Sequence, residues 1–260
     1  MRSTSICVLS VVSILPFGFQ ARAQSISVPN GSFETQPVVP PFPVNNQVDG
    51  WQKSAQPAWF DPSQTGGVTW DQLSGVFANT APTSSDHIDN MAGSQAAYMF
   101  SLPQVAFFQD FNSTDWNHST PTHAFNPVFE IGKSYELTVG LIGGGGTMSV
   151  GTILELGLYY RDGANNMVNV AANDVTFTPS LFPTTTHFID FQVNVPTVQA
   201  TDPWAGKNIG IDLLSLYGQG DGYWDLDNVR LTAVPEPTSF ALVGFGLAGL
   251  ALASRGRKNP

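Results

Sequence analysis

The chain has one cysteine, Cys7, and few cations: 10 lysines and arginines stand against 20 aspartates and glutamates in 260 residues. Between residues 24 and 233 the only cations are Lys53, Lys133, Arg161, Lys207 and Arg230. They face 19 acidic residues, a net charge of −14 for that stretch. Such a surface repels nucleic acid and anionic lipid and suits divalent cations and neutral, hydroxyl-rich ligands; plain solubility explains it equally well. With Cys7 near the start, the region after residue 23 has no thiol, no disulfide and no cysteine metal site. No uninterrupted apolar run reaches the roughly 20 residues of a full membrane span. Between residues 24 and 233, no stretch of helical period reaches ten residues. Nucleophile turns of the Gly-x-Ser-x-Gly type are missing. His118 and His123 lie in a Pro/Thr-rich loop, the wrong setting for a helical metal pair. The glycines at 143–146 and 218–222 lack the Gly-Lys-Ser/Thr of a phosphate loop and read as wide hairpin turns.

Both ends carry short apolar segments. Arg2, an apolar run over residues 6–19 and Ala21-Arg22-Ala23 form the pattern of a secretory signal peptide, with cleavage expected after Ala23. A first transmembrane helix is disfavoured because the run is short and interrupted by Pro16 and Gly18. At the other end stand Pro235-Glu236-Pro237, an uncharged run over residues 240–253, and then Arg255, Arg257 and Lys258. The basic end would stay cytoplasmic, and its side chains can snorkel to the interface of a short helix. An ordinary C-terminal anchor is the plainer alternative. The tail resembles the PEP-CTERM sorting signal of bacteria that make exopolysaccharide. That resemblance implies an exosortase-type membrane enzyme as partner, transient membrane anchoring, and delivery to the cell surface or extracellular matrix.

The 210 residues from 24 to 233 suffice for one substantial core. Residues 135–139, 154–159, 187–195, 209–213 and 227–231 alternate apolar and polar side chains and are rich in Val, Ile, Phe and Tyr. Period-two patterning of this kind predicts half-buried antiparallel strands. Short strands separated by Gly and Pro predict an all-β sandwich. Residues 37–43 and 80–90 read as loops.

Asn30-Gly31-Ser32-Phe33-Glu34 opens this region and Trp224-Asp225-Leu226-Asp227-Asn228-Val229-Arg230-Leu231 closes it. The arrangement is similar to the galactose-binding-like jelly-roll family, the fold of many bacterial carbohydrate-binding modules. In that family the two terminal elements meet and commonly hold a structural Ca2+, which would here fall to Asn30, Glu34, Asp225 and Asp227. The residues permit it: Asp227 shares its alternation with Val229 and Leu231 and is expected to face the core, where a carboxylate needs a partner. A turn hydrogen bond to Asp227, or a contact from Arg230 to Glu34, would account for the same residues. Trp51 and Trp224 are expected in the core. Residues 59–126 match nothing in the family pattern.

Carbohydrate recognition asks for exposed aromatic platforms beside amides and carboxylates. Trp116, with Asn117 beside it, and Trp70 are the candidate ligand-binding residues, though any single Trp could instead plug an end of the sandwich. No catalytic constellation stands out. The expectation is a non-catalytic module that binds extracellular polysaccharide. The alternatives are a matrix protein without a defined ligand and, third, a polysaccharide-active enzyme.

Overall fold

The structure is a computed structural model, and it describes residues 22–41, 43–217 and 222–235. The apolar runs near both ends, Glu236, Pro237, Arg255 and Arg257 lie outside the described residues. Among the described residues no helix is long and apolar enough to cross a membrane.

Among the described residues twelve strands follow one another: β1 (Gln24–Ile26), β2 (Val44–Asn45), β3 (Gln52–Lys53), β4 (Ser74–Ala78), β5 (Gln95–Phe100), β6 (Ala106–Gln109), β7 (Lys133–Gly145), β8 (Ile153–Arg161), β9 (Met167–Thr176), β10 (Ile189–Val195), β11 (Gly210–Tyr217) and β12 (Tyr223–Pro235). Two 3-10 turns, Pro62–Thr65 and Trp70–Leu73, precede β4. The strands form two antiparallel sheets. The larger runs β10-β7-β12-β5-β4-β2, with β1 also paired to β12; the smaller runs β3-β6-β11-β8-β9. All five predicted strand segments fall on β7, β8, β10, β11 and β12.

The two sheets enclose one apolar core. Leu137, Val139 and Leu141 of β7 meet Leu154, Leu156 and Leu158 of β8 and Ile211 and Leu213 of β11 there. Trp51 and Trp224 are both fully buried, as expected, and Trp51 stacks on Phe33 at 5.6 Å between ring centroids. The first and last elements meet: the Val229 N–H donates to the Gly31 carbonyl at 2.7 Å, and Gln24 pairs with Ala233.

Two expectations are corrected. The glycines at 143–145 are not a turn but the end of β7. A Cβ on Gly143 would stand 2.8 Å from the Trp224 ring, and one on Gly145 would stand 2.3 Å from the Tyr223 ring. Aromatic side chains of β12 lie across that backbone, so only glycine fits.

The second correction concerns β12. Leu226 pairs with Leu141 and Leu231 with Leu137, so β12 spends one residue more than β7 over that interval. The extra residue is Asn228, at φ 54. This is a β-bulge, and it reverses the alternation. Trp224, Leu226, Val229 and Leu231 all face the core, whereas Asp225 and Asp227 are turned to the opposite face of the sheet. Asp227 therefore does not share the side of Val229 and Leu231.

Candidate functional site

Beyond the sandwich core, the outer face of the larger sheet carries its own apolar layer. Strand pairing places Asp225 beside Tyr98, Tyr223 beside Phe100, and Phe77 beside both Val44 and Ala96. A groove of about 920 Å3 lies over Val44, Phe77, Tyr98, Phe100, Tyr223 and Asp225, walled by Val68, Gln72 and Trp116 and rimmed by Asn45, Asn46 and Gln47. One end of this face is covered by the 79–94 loop, whose Ile88 and Met91 pack with Ile142 and Phe188. Asn90 fixes the loop by donating to the Phe188 carbonyl and accepting from the Phe188 N–H.

Asp225 is the exceptional residue of the groove. It is 7 % exposed, and its Oδ1 is buried with no hydrogen-bond partner. Burial alone pushes its carboxyl up from the ordinary aspartate range to about 8. It is therefore held as a neutral acid at neutral pH, surrounded by aromatic rings. Opposite it, the Tyr98 hydroxyl donates to Asn46 Oδ1 at 3.0 Å and also lies 3.2 Å from the Gln72 carbonyl. Burial raises the Tyr98 hydroxyl to about 12. Tyr98 is thus a fixed donor already engaged, and Asp225 is the acid of this groove with a free oxygen.

Of the residues singled out for ligand binding, Trp116 walls this groove and is half-buried. Asn117 is exposed and turned to its own loop, where its Oδ1 accepts from the Ser119 N–H. Trp70 is not the exposed platform expected of it. It is 4 % exposed, its indole N–H donates to the Ser54 carbonyl, and its ring packs edge-on against Phe60 at 5.0 Å.

The four residues considered for a cation divide in two. Glu34 Oε1 accepts from the Ser94 and Gln95 N–H groups, and Asp227 accepts from the Ala92 and Asn228 N–H groups. Gly93, at φ +114, lets the Glu34 carboxylate lie against its backbone, where a Cβ would approach within 2.6 Å. Asp227 is fully buried, and burial raises its carboxyl to about 7, with the charge of Glu34 adding to the rise. Asn30 organises a turn: its Nδ2 donates to the Asp49 carbonyl and its Oδ1 accepts from the Thr35 N–H. Asp225 belongs to the aromatic groove instead, and no neighbouring charge contributes to its shift. Among the described residues no three acidic, histidine or cysteine side chains converge on one point.

Residues 24–232 match the HpiC1-like family, described as HpiC1 cyclase. The chain belongs to the HpiC1 cyclase family. Residues 233–258 match the PEP-CTERM protein-sorting motif. No curated protein matches the chain. Among solved structures, the apo form of a cyclase from Fischerella sp. is 20% identical, with a TM-score of 0.57 over 82% of this chain and 97% of that one. A cyclase from Fischerella sp. TAU in complex with 4-(1H-indol-3-yl)butan-2-one is 21% identical, with a TM-score of 0.55 over 82% of this chain and 98% of its own. A family 16 carbohydrate-binding module is a looser likeness, 17% identical with a TM-score of 0.36 over 78% of this chain and 97% of that one. The sandwich fold expected from the strand pattern is therefore shared with cyclases of the HpiC1 family. The expectation of a non-catalytic body meets a family named for an enzyme.

Sequence reasoning passed over Asp225 as an acid and assigned it to a cation. The signal that could have found it is an aspartate flanked by Trp224 and Leu226 in a strand otherwise rich in apolar residues. What hid it was the parity of the strand, which no pattern reveals before the bulge is placed.

A raised carboxyl has a measurable consequence. In the unfolded chain an aspartate ionises near 3.9, whereas Asp225 keeps its proton in the fold to about 8. The native state thus binds more protons than the unfolded state between those limits. Its stability contribution is full at low pH and is lost as pH rises through the window, at up to about 1.4 kcal/mol per pH unit. Denaturant unfolding at pH 5 and pH 8 with a chelator present should show wild type losing more stability than Asp225→Asn. Equal losses would mean that Asp225 is ionised in the fold.

Proposed function

We propose that the groove is a small-molecule site in which Asp225 serves as a general acid toward an apolar, unsaturated or aromatic ligand. The observation that carries this reading is a neutral carboxyl, buried and unpartnered at one oxygen, among Tyr98, Phe100, Trp116 and Tyr223. A buried acid with a pKa near the working pH is suited to proton donation. Aromatic faces around it would stabilise positive charge developing on the ligand. The step is a proton moving from the Asp225 carboxyl to a ligand carbon, the cation rearranging or closing a ring, and a proton returning to the carboxylate. A cyclase family and a relative with an indole ligand support that class of chemistry.

A second reading has its own support. Asn45, Asn46, Gln47 and Gln72 put an amide rim beside Trp116, which is the equipment of a polysaccharide-binding cleft. The two readings separate on one pair of variants. Indole is a suitable probe, because protonation at its C3 carbon exchanges that proton for deuterium in D2O. Wild type should bind indole and accelerate the exchange, read by NMR. Asp225→Asn should still bind and lose at least about 100-fold of the acceleration. Equal exchange in both proteins would defeat the acid. Glycan-array binding that disappears in Trp116→Ala and survives in Asp225→Asn would establish the cleft reading instead.

We also propose that Glu34 and Asp227, with Asn30 nearby, bind a structural Ca2+. Burial and then the charge of Glu34 raise the cost of ionising Asp227, and a hard cation would relieve it. Asp225 is not part of that set. Calcium should raise the thermal midpoint of wild type and leave Asp227→Asn unmoved; a wild-type midpoint indifferent to both calcium and chelator would remove the ion from the account.

The sorting motif supports one further reading, that an exosortase-type membrane enzyme processes the chain on its way to the cell surface. Mass spectrometry of the mature protein should then find neither residues 1–23 nor the segment after the Pro-Glu-Pro box. An intact C-terminus would mark a permanent anchor.

A further inference from the structure

Lys53 has no role in the readings above, yet it is the most unusual cation of the fold. It is 1 % exposed. Its Nζ donates to the Asp71 carbonyl and to the Ser74 carbonyl, both at 2.6 Å, and lies 5.7 Å from the centroid of the Trp116 ring. Those partners belong to two pieces of chain: the continuous stretch of the 3-10 turn at Trp70–Leu73 and the first residue of β4, and the 110–123 loop. Lys53 itself does not line the groove, whereas Gln72 and Trp116 both do.

The residue before it acts on the same loop. Gln52 Oε1 accepts from the Thr114 N–H at 2.8 Å, and Gln52 Nε2 lies 2.9 Å from His118 Nδ1. An amide nitrogen only donates, so His118 Nδ1 is the acceptor there. Thr114 and His118 bracket Trp116. Inside the loop, Asp115 accepts from the Ser119 and Thr120 N–H groups and from the Ser119 hydroxyl, which closes the turn into a unit. Successive strand residues point to opposite sides, so one two-residue strand, β3, grips this unit from two directions.

We propose that Gln52 and Lys53 form a latch that holds Trp116 as the wall of the groove, which makes Lys53 a positioning residue for ligand binding. The ligand-binding half of this statement rests on the groove reading given above; the holding of Trp116 does not. Burial lowers the Lys53 ammonium from the ordinary lysine range to about 7, against the opposing charge of Asp71, so the contact is fully charged below neutral pH. In that form an ammonium with two carbonyl acceptors has one remaining N–H direction, and the electron-rich face of an indole is a suitable third partner. The geometry ties the indole to the floor of the groove: the carbonyl of Asp71, which Lys53 binds, precedes Gln72, whose own carbonyl lies against the Tyr98 hydroxyl. The orientation of Trp116 is thereby coupled to the same pair of strands that carry Tyr98 and Asp225.

The test labels the full chain with 5-fluorotryptophan and reads Trp116 by fluorine NMR, assigned through Trp116→Phe. In Lys53→Met, which keeps the volume and removes the charge, the Trp116 resonance of the free protein should shift and broaden. At pH 6, where Lys53 is charged, affinity for indole should fall roughly 30-fold, the scale of a desolvated cation–π contact. The buried tryptophans Trp51 and Trp224 should keep their resonances. If Lys53→Met does not fold, Gln52→Ala serves in its place, because that side chain is only part-buried; the same resonance should shift, with a smaller affinity loss. An unmoved Trp116 resonance in whichever variant folds overturns the latch. If wild type fails to bind indole, the groove reading fails for this ligand, and the free-protein resonance still decides whether Gln52 and Lys53 hold the wall.

Discussion

The arrangement of this molecule turns on one extra residue in its last strand. Asn228 adopts a left-handed backbone conformation and is absorbed as a bulge between Leu226 and Leu231. Without it, strict alternation would keep Asp227 on the side of Val229 and Leu231 and force a carboxylate into the sandwich core. With it, β12 gives Trp224, Leu226, Val229, Leu231 and Ala233 to the core and two aspartates to the outer face. A single change of parity therefore separates the part of the strand that stabilises the fold from the part available for chemistry.

The outer face exploits what a sheet does well. Cross-strand neighbours stand in fixed register, so Tyr98 and Asp225, or Phe100 and Tyr223, are held side by side by backbone hydrogen bonds rather than by loops. The glycine run of β7 leaves room for the rings of Tyr223 and Trp224 to lie across the sheet. Covering loops then remove water. Once Asp225 is desolvated and deprived of a partner, its neutrality at physiological pH follows from electrostatics alone. Asp227, two residues further along the same strand, meets backbone N–H groups and the Glu34 carboxylate instead. Two like residues thus sit in different surroundings, one among aromatic rings without a partner at one oxygen and the other bonded by backbone N–H groups.

The legible portion of the fold was the portion with regular alternation. The segments later seen as β7, β8, β10, β11 and β12 declared themselves through Val, Ile, Leu and Phe at every second position. Trp51 and Trp224 were recognisable as core because they stand in framework elements of the family pattern, Gly50-Trp51 and the closing strand. The region from residue 59 to 126 matched no pattern, and it supplies β4, β5, β6 and the loop bearing Trp116. Its strands are short, and β5 is buried on both faces, so period two is blurred there. Trp70 was misplaced for a related reason: its polar neighbours Asp71 and Gln72 suggested a surface loop, but a 3-10 turn rolls the indole inward onto Phe60.

By itself the sequence determined the all-strand class, the acidic and thiol-free body, and the sorting motif at its end. Each of these is a local or additive property, carried by alternation, composition or a contiguous string of residues. Only the tertiary structure decided which face of β12 carries the aspartates, that Asp225 is a neutral acid among aromatic rings, and that Lys53 reaches Trp116. Those depend on where a bulge falls and on which distant segments exclude water from a carboxyl or an ammonium, and desolvation is a property of the surroundings rather than of the residue.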